Sequence, residues 1–163
     1  MSEPVLVRPI GVVVGGHLTV ADDYQGGVES IIRIHEQYPL ETLQGLEEFS
    51  HLLVTWQFNR ASPGDVHLHT RSPRNDPRWA PTGTFAHRNH RRPNQLATSF
   101  PRLLRVDGRD LHVTDLDAVD GTPVIDLGPY FPQMGPRGEI RQPDWPAELL
   151  THYWADAADR APE

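Results

Sequence analysis

A period of two runs through Val28 to Ile34, with Val28, Ser30, Ile32 and Ile34 on one face and Glu29, Ile31 and Arg33 on the other, so this segment predicts a strand. Val5 to Val14 is a β-branched run ending at Gly15-Gly16, and it predicts an earlier strand entering a turn, although Pro9 and Gly11 interrupt it. Leu52 to Phe58, apolar and carrying Trp56, predicts a central strand. Arg102 to Val106 and Arg109 to Thr114 flank Asp107-Gly108, a pair suited to the positive φ of a tight turn, and together they predict a hairpin. Val124 to Leu127 predicts a last short strand, ended by Gly128-Pro129. Helical spacing occurs twice. Leu40, Leu43 and Leu46 after Pro39 predict a short helix over 36–46, which Gly45 can stop early. Leu149, Leu150, Tyr153 and Trp154 predict the docking face of a terminal helix over 145–158, with Asp144 as its cap and Pro146 in its first turn.

Sixteen prolines and thirteen glycines, spread along 163 residues, add turns throughout and favour an all-β or β-dominated class. The length suits one domain over 1–163, and no internal repeat divides it. The formal charge of −7 offers no global field for a polyanion, so nucleic-acid binding would need a local patch. The absence of cysteine excludes disulfides, thiolate metal sites and cysteine nucleophiles. The amino terminus lacks the basic-then-apolar build of a signal peptide, and no apolar run is long enough to span a membrane, so a cytoplasmic location is the expectation.

The candidate chemistry lies in polar stretches. Residues 17–27 read as a mobile loop with Tyr24 and Gln25 as contact residues, and residues 59–81 form the longest loop. His67-x-His69 could start a metal site, but no third ligand has a clear spacing, so no metal is expected. His51 is either a half-buried, satisfied histidine or a site residue. No nucleophile elbow, zincin helix, P-loop or dinucleotide fingerprint is present. What remains is Gly83 to Ser99, dense in Arg, His and Asn, and Asp117 to Tyr130, which interleaves acids with turn residues. Arg88 and Arg92 can clamp a carboxylate, while Asp117 and Asp120 can accept from an amine or a ribose diol. An amino acid head group joined to a nucleoside would match this set, as S-adenosylmethionine does. Other zwitterionic metabolites fit as well, and so does a purely structural lattice of turn-capping aspartates and arginines.

The two stretches resemble the TsaA-like (TrmO-type) family of S-adenosylmethionine-dependent methyltransferases. Gly83-Thr84-Phe85-Ala86-His87-Arg88 through Arg92-Pro93-Asn94 to Ser99 is similar to one family motif. Leu116-Asp117-Ala118-Val119-Asp120-Gly121-Thr122-Pro123-Val124-Ile125-Asp126-Leu127-Gly128-Pro129-Tyr130 is similar to another. Pro9-Ile10-Gly11-Val12 and Gly45-Leu46-Glu47-Glu48-Phe49-Ser50-His51 add to the likeness, which runs over about residues 8 to 132. The resemblance implies a small antiparallel β-barrel over about residues 5–132, with one or two short helices and a C-terminal extension over 133–163. It also implies a homodimer. By position it implies that Gln25, Asn59, Arg60, Arg88, Thr98, Thr114, Asp115, Leu116 and Asp117 hold the cofactor S-adenosylmethionine, with Asn94 and Asp120 from the same motifs.

The family pattern has Thr, Ser-Pro and Pro where this chain has His87, Asn89-His90 and Gln95. Retained cofactor positions beside altered neighbours suggest a new methyl acceptor, expected to be a small molecule or peptide. His87 and His90 are then the catalytic candidates as acceptor-binding group or base, with Tyr130 from the second motif. Methylation of threonylcarbamoyladenosine in tRNA is the second reading, and it would need Arg71, Arg74, Arg78, Arg88, Arg91 and Arg92 on phosphates. A non-catalytic ligand-binding barrel is the third.

Overall fold

The structure, a computed structural model, describes residues 2–162, so the two end residues of the expected 1–163 domain lie outside it. Seven strands are present: β1 Gly11–Val14, β2 Glu29–Ile34, β3 Leu52–Gln57, β4 Leu96–Ser99, β5 Arg102–Asp107, β6 Asp110–Thr114 and β7 Pro123–Pro129. They pair antiparallel in one sheet of order β4-β3-β7-β1-β2-β6-β5. Alternation decides the faces. In β2 the buried positions are Ser30, Ile32 and Ile34, as the period of two requires. Val13, Ile32, Leu52, Val54, Trp56, Leu111, Val113, Leu116 and Val124 belong to one buried core.

A closed barrel was the expectation, and the ladder is instead that of an open sheet. Its edge strands β4 and β5 follow one another around the Phe100-Pro101 corner and share no ladder. One bridge, His51 with Arg102, ties β5 to the lead-in of β3. The Leu52 amide donates to the Pro101 carbonyl at 3.0 Å and the Leu103 amide to the Ser50 carbonyl at 2.8 Å. The hairpin of β5 and β6 forms, but its turn is Gly108-Arg109 rather than Asp107-Gly108: Asp107 stays in the strand opposite Asp110, and Gly108 takes φ 57°.

Four expectations need correction. The first strand begins only at Gly11. Pro9 has no N–H for a ladder, and Val5 and Leu6 are 87% and 84% exposed. The helix over 36–46 is replaced by two short 3-10 turns, Leu40–Leu43 and Leu46–Glu48, because Gly45 sits at φ 84° between them. β7 is longer than the four residues read for it. Helix α1 spans only Trp145–Leu149, and Leu150 and Trp154 remain exposed. The rest of the tail is drawn into backbone pairing with residues 24–26, which a continuing helix would forbid. The strand β4 was not anticipated, since its residues were read as part of a polar motif.

Among the described residues no helix is long and apolar enough to cross a membrane. None brings together three metal-ligating side chains either.

Candidate active site

β4 carries Thr98 and Ser99 against Thr55 and Val54 of β3, and the turn after β6 carries Asp115 to Asp117. Their meeting point is Asp117. The Ser99 hydroxyl donates to Asp117 Oδ1, and Ser99 Oγ in turn accepts from Trp56 Nε1 at 2.9 Å. The Tyr153 hydroxyl, from the tail, donates to Asp117 Oδ2. Burial, and then the negative charge of Asp117, push the Tyr153 phenol well above its ordinary range, so it remains a donor at any working pH. The charges of Arg88 and then Arg74 oppose that rise. Arg88 is exposed and donates to the Thr98 carbonyl at 2.7 Å, leaving its other N–H groups for a ligand.

The loop before β2 closes beside this cluster. Gln25 is buried; its side chain donates to the Ala21 carbonyl at 2.7 Å, and its amide donates to the Tyr153 carbonyl at 2.8 Å. The Tyr24 amide donates to the His152 carbonyl at 3.0 Å and the Ala157 amide to the Gly26 carbonyl at 3.1 Å, so the tail lies along the loop like a strap. Glycine is required at 26, where a Cβ would stand 2.3 Å from the Trp154 carbonyl oxygen. Asp115, at φ 61°, accepts from the Gly27 amide at 3.2 Å. Thr114 donates to the Val28 carbonyl at 3.3 Å, and Leu116 is a core residue rather than a surface one. A surface hollow of about 400 Å³ lined by Val20 to Tyr24 and Arg160 borders the strap.

The remaining candidates fall into separate places. Asn59 donates to the Gly121 carbonyl at 3.1 Å and accepts from Thr122, while Asp120 accepts from the Gly15 amide at 2.7 Å, so these two order the turn before β7. Arg60 and Asn94 are exposed. His87 is only 5% exposed, its ring 5.8 Å from that of Trp145, and its Nε2 lies 2.9 Å from the Thr82 hydroxyl and 3.2 Å from the Thr82 carbonyl. His90 is half-buried beside Phe58, and burial, then the Arg91 charge, lower its pKa. Tyr130 packs edge-on against Phe100. The expected site residues Gln25, Arg88, Thr98 and Asp117 therefore come together, whereas Asn59 and Asp120 form a second group. Sequence reasoning missed Ser99 and Trp56 as partners of Asp117, and it placed Tyr153 on an apolar docking face. The hydroxyl on an otherwise apolar stripe was the one available signal.

Comparison with known proteins bears on this arrangement. The family model described as the tRNA-methyltransferase O N-terminal domain matches residues 22–135. A tRNA (adenine(37)-N6)-methyltransferase of Mus musculus is 36% identical over 57% of this chain and 21% of its own length. A probable S-adenosyl-L-methionine-binding protein of Pyrococcus abyssi is 31% identical over 82% of this chain and 72% of its own. The crystal structure of TrmO from Pseudomonas aeruginosa superposes with a TM-score of 0.69 at 25% identity, over 88% of this chain and 62% of that one. The chain thus spans about a fifth of the mouse relative and about three-fifths of the solved one. A small molecule or peptide as the acceptor is overturned by the mouse relative and the family model, both named for tRNA. The reading leaned on the overall charge of −7, yet residues 59–95 hold seven arginines and two aspartates, so the acidity lies elsewhere. With the match running through Gln25, Arg88 and the Asp117 turn, the chain belongs to the tRNA-methyltransferase O N-terminal domain family.

Proposed function

We propose that this chain is an S-adenosylmethionine-dependent methyltransferase acting on the N6 nitrogen of adenine 37 in tRNA. The observation that carries the reading is the convergence of Arg88, Thr98 and Asp117 from separate motif segments beside the Gln25 loop. The donor set suits the cofactor. Arg88 keeps unused N–H groups for a carboxylate, and the Asp115 and Asp117 carboxylates, with more acceptor sites than the bonds they make, suit ribose hydroxyls or an ammonium. S-adenosylmethionine, when bound, supplies an electrophilic methyl group. The chain's own residues then bind and align. Trp56, Ser99 and Tyr153 fix the Asp117 carboxylate so that it need not reorganise when a ligand arrives. The buried Gln25 holds the loop backbone in place through Ala21.

His90 suits a proton acceptor, because its lowered pKa keeps the imidazole neutral near neutral pH. His87 suits a positioning role, since its Nε2 is committed to Thr82. Asn94 and Arg60, both exposed, are kept as cofactor contacts by resemblance and Tyr130 as a catalytic candidate, while Asn59 and Asp120 order the second turn.

Calorimetry with S-adenosylmethionine and methyl incorporation into tRNA bearing unmethylated adenine 37 test this. Wild type should release heat and methylate, and Arg88→Ala should weaken cofactor affinity about tenfold or more, the scale of a charged hydrogen bond. A wild-type chain without heat at millimolar cofactor sinks the reading.

A further inference from the structure

Seven of the fifteen arginines lie in residues 59–95, and several of those are already spent inside the protein. Arg74 pairs with Asp23, and Arg78 with Asp76. Arg88 and Arg92 donate to the carbonyls of Thr98 and His87. Arg71 and Arg91 differ: both are half-buried, and among the described residues neither guanidinium has a hydrogen bond or a carboxylate partner. Backbone hydrogen bonds fix the segment that carries each of them. Arg71 and Thr82 exchange two amide hydrogen bonds of 3.0 Å. The Arg91 amide donates to Asn89 Oδ1 at 3.0 Å, and the Arg91 carbonyl accepts from the His67 amide at 2.9 Å. His67 Nε2 is buried without a partner, and the His67 and His69 rings lie 5.8 Å apart. The nearby acid, Asp65, is taken up by the Ser62 amide and hydroxyl.

Burial, and then the Arg91 charge, lower the Arg71 pKa, and both arginines act to lower that of His90. Like charges held near one another, partly out of water, with Asp65, the carboxylate that Arg91 acts on, already bonded to Ser62, oppose folding unless something else uses them. A phosphate group answers all three features at once, because its oxygens accept from guanidinium forks and from an imidazole N–H.

We propose that Arg71 and Arg91, with the unpartnered imidazole nitrogen of His67, form a phosphate-binding site for the RNA backbone. The source of the phosphate rests on the tRNA reading above, since free phosphate presents the same oxygens. The site narrows the six arginines of the sequence-based expectation to two.

The test uses the full chain and an R71A/R91A variant. Both are titrated with bulk tRNA over a range of salt and unfolded thermally with and without inorganic phosphate, with cofactor calorimetry as the control for folding. The variant should keep its cofactor affinity, lose about two from the slope of log affinity against log salt, and bind tRNA at least about tenfold more weakly. Inorganic phosphate should raise the melting temperature of the wild type and leave that of the variant unmoved. Tight tRNA binding with an unchanged slope in the variant overturns the site while leaving the tRNA reading intact. A phosphate response confined to the wild type, in a chain that binds no tRNA, supports the site's phosphate chemistry and overturns the tRNA reading. Should the alanine pair fail to fold, R71Q/R91Q keeps the packed stems and must show the same loss of slope.

Discussion

Asp117 accepts from Ser99 on one oxygen and Tyr153 on the other, so the two hydroxyls bracket a single carboxylate. Tyr153→Phe removes one donor and leaves a partly buried oxygen short of a partner, at a cost of about 1–3 kcal/mol. Asp117→Asn should cost a similar amount. The double variant should cost less than the two together, because both changes break the same contact. Urea denaturation of the four proteins measures the cycle, and strict additivity would separate Tyr153 from Asp117. At this scale the sequence was informative where a charge stood in a recognisable motif. Arg88 and Asp117 were legible for that reason. His87 carried the same kind of signal, but the fold buries it against Thr82 and Trp145, and burial is not written in the spacing of a loop. Tyr153 was read by its ring alone, and its hydroxyl turned out to matter.

The tail shows how local preference loses to tertiary pairing. Leu149, Leu150, Tyr153 and Trp154 have helical spacing, yet the helix stops at Leu149 and the following residues satisfy the backbone of Tyr24, Gln25 and Gly26. Five residues are too few for a self-supporting helix, so the ladder to the loop decides the conformation. Gly26→Ala should unseat this ladder, since the added carbon stands 2.3 Å from the Trp154 carbonyl and rigid backbone faces it. A loss of about 1–3 kcal/mol in denaturant unfolding is expected. The Tyr153→Phe change should then add little in the Gly26→Ala background. A full additional loss would mean that the tail remains seated. The strands were more readable than the helices. The alternation in β2 and the turn signal at Gly108 act locally, whereas β4 depends on pairing with β3, which no short window reveals.

Charge is uneven over the whole molecule, so the overall −7 ranks tRNA below a small molecule although the arginine-rich stretch does not. With seven arginines gathered in residues 59–95, the remaining chain is strongly acidic. The same distribution shapes the response to acid. Asp65, Asp76 and Asp110 are held below the usual carboxylate value of 3.8 by hydrogen bonds from Ser62, Arg78 and Arg33 respectively. Their contribution is present above that pH and is lost as the pH falls through the lower folded values. His90 acts earlier. Its folded pKa lies below 6.5, so the unfolded chain takes up the proton first and stability declines as the pH drops from about 6.5. Melting temperature against pH should show this upper step in the wild type and lack it in His90→Gln. An unchanged profile in the variant would remove His90 from the account.

The strap also sets an order of events during synthesis. The Gln25 loop precedes β2 to β7 in the chain, and its backbone partner Tyr153 follows them. While the ribosome is still making the middle strands, the loop has no partner, and the Asp117 carboxylate waits with Ser99 alone. The sheet can condense before the tail emerges, but the site cannot. Methyl-donor binding should therefore be acquired only after residues 152–157 have left the ribosome and docked on the Gln25 loop.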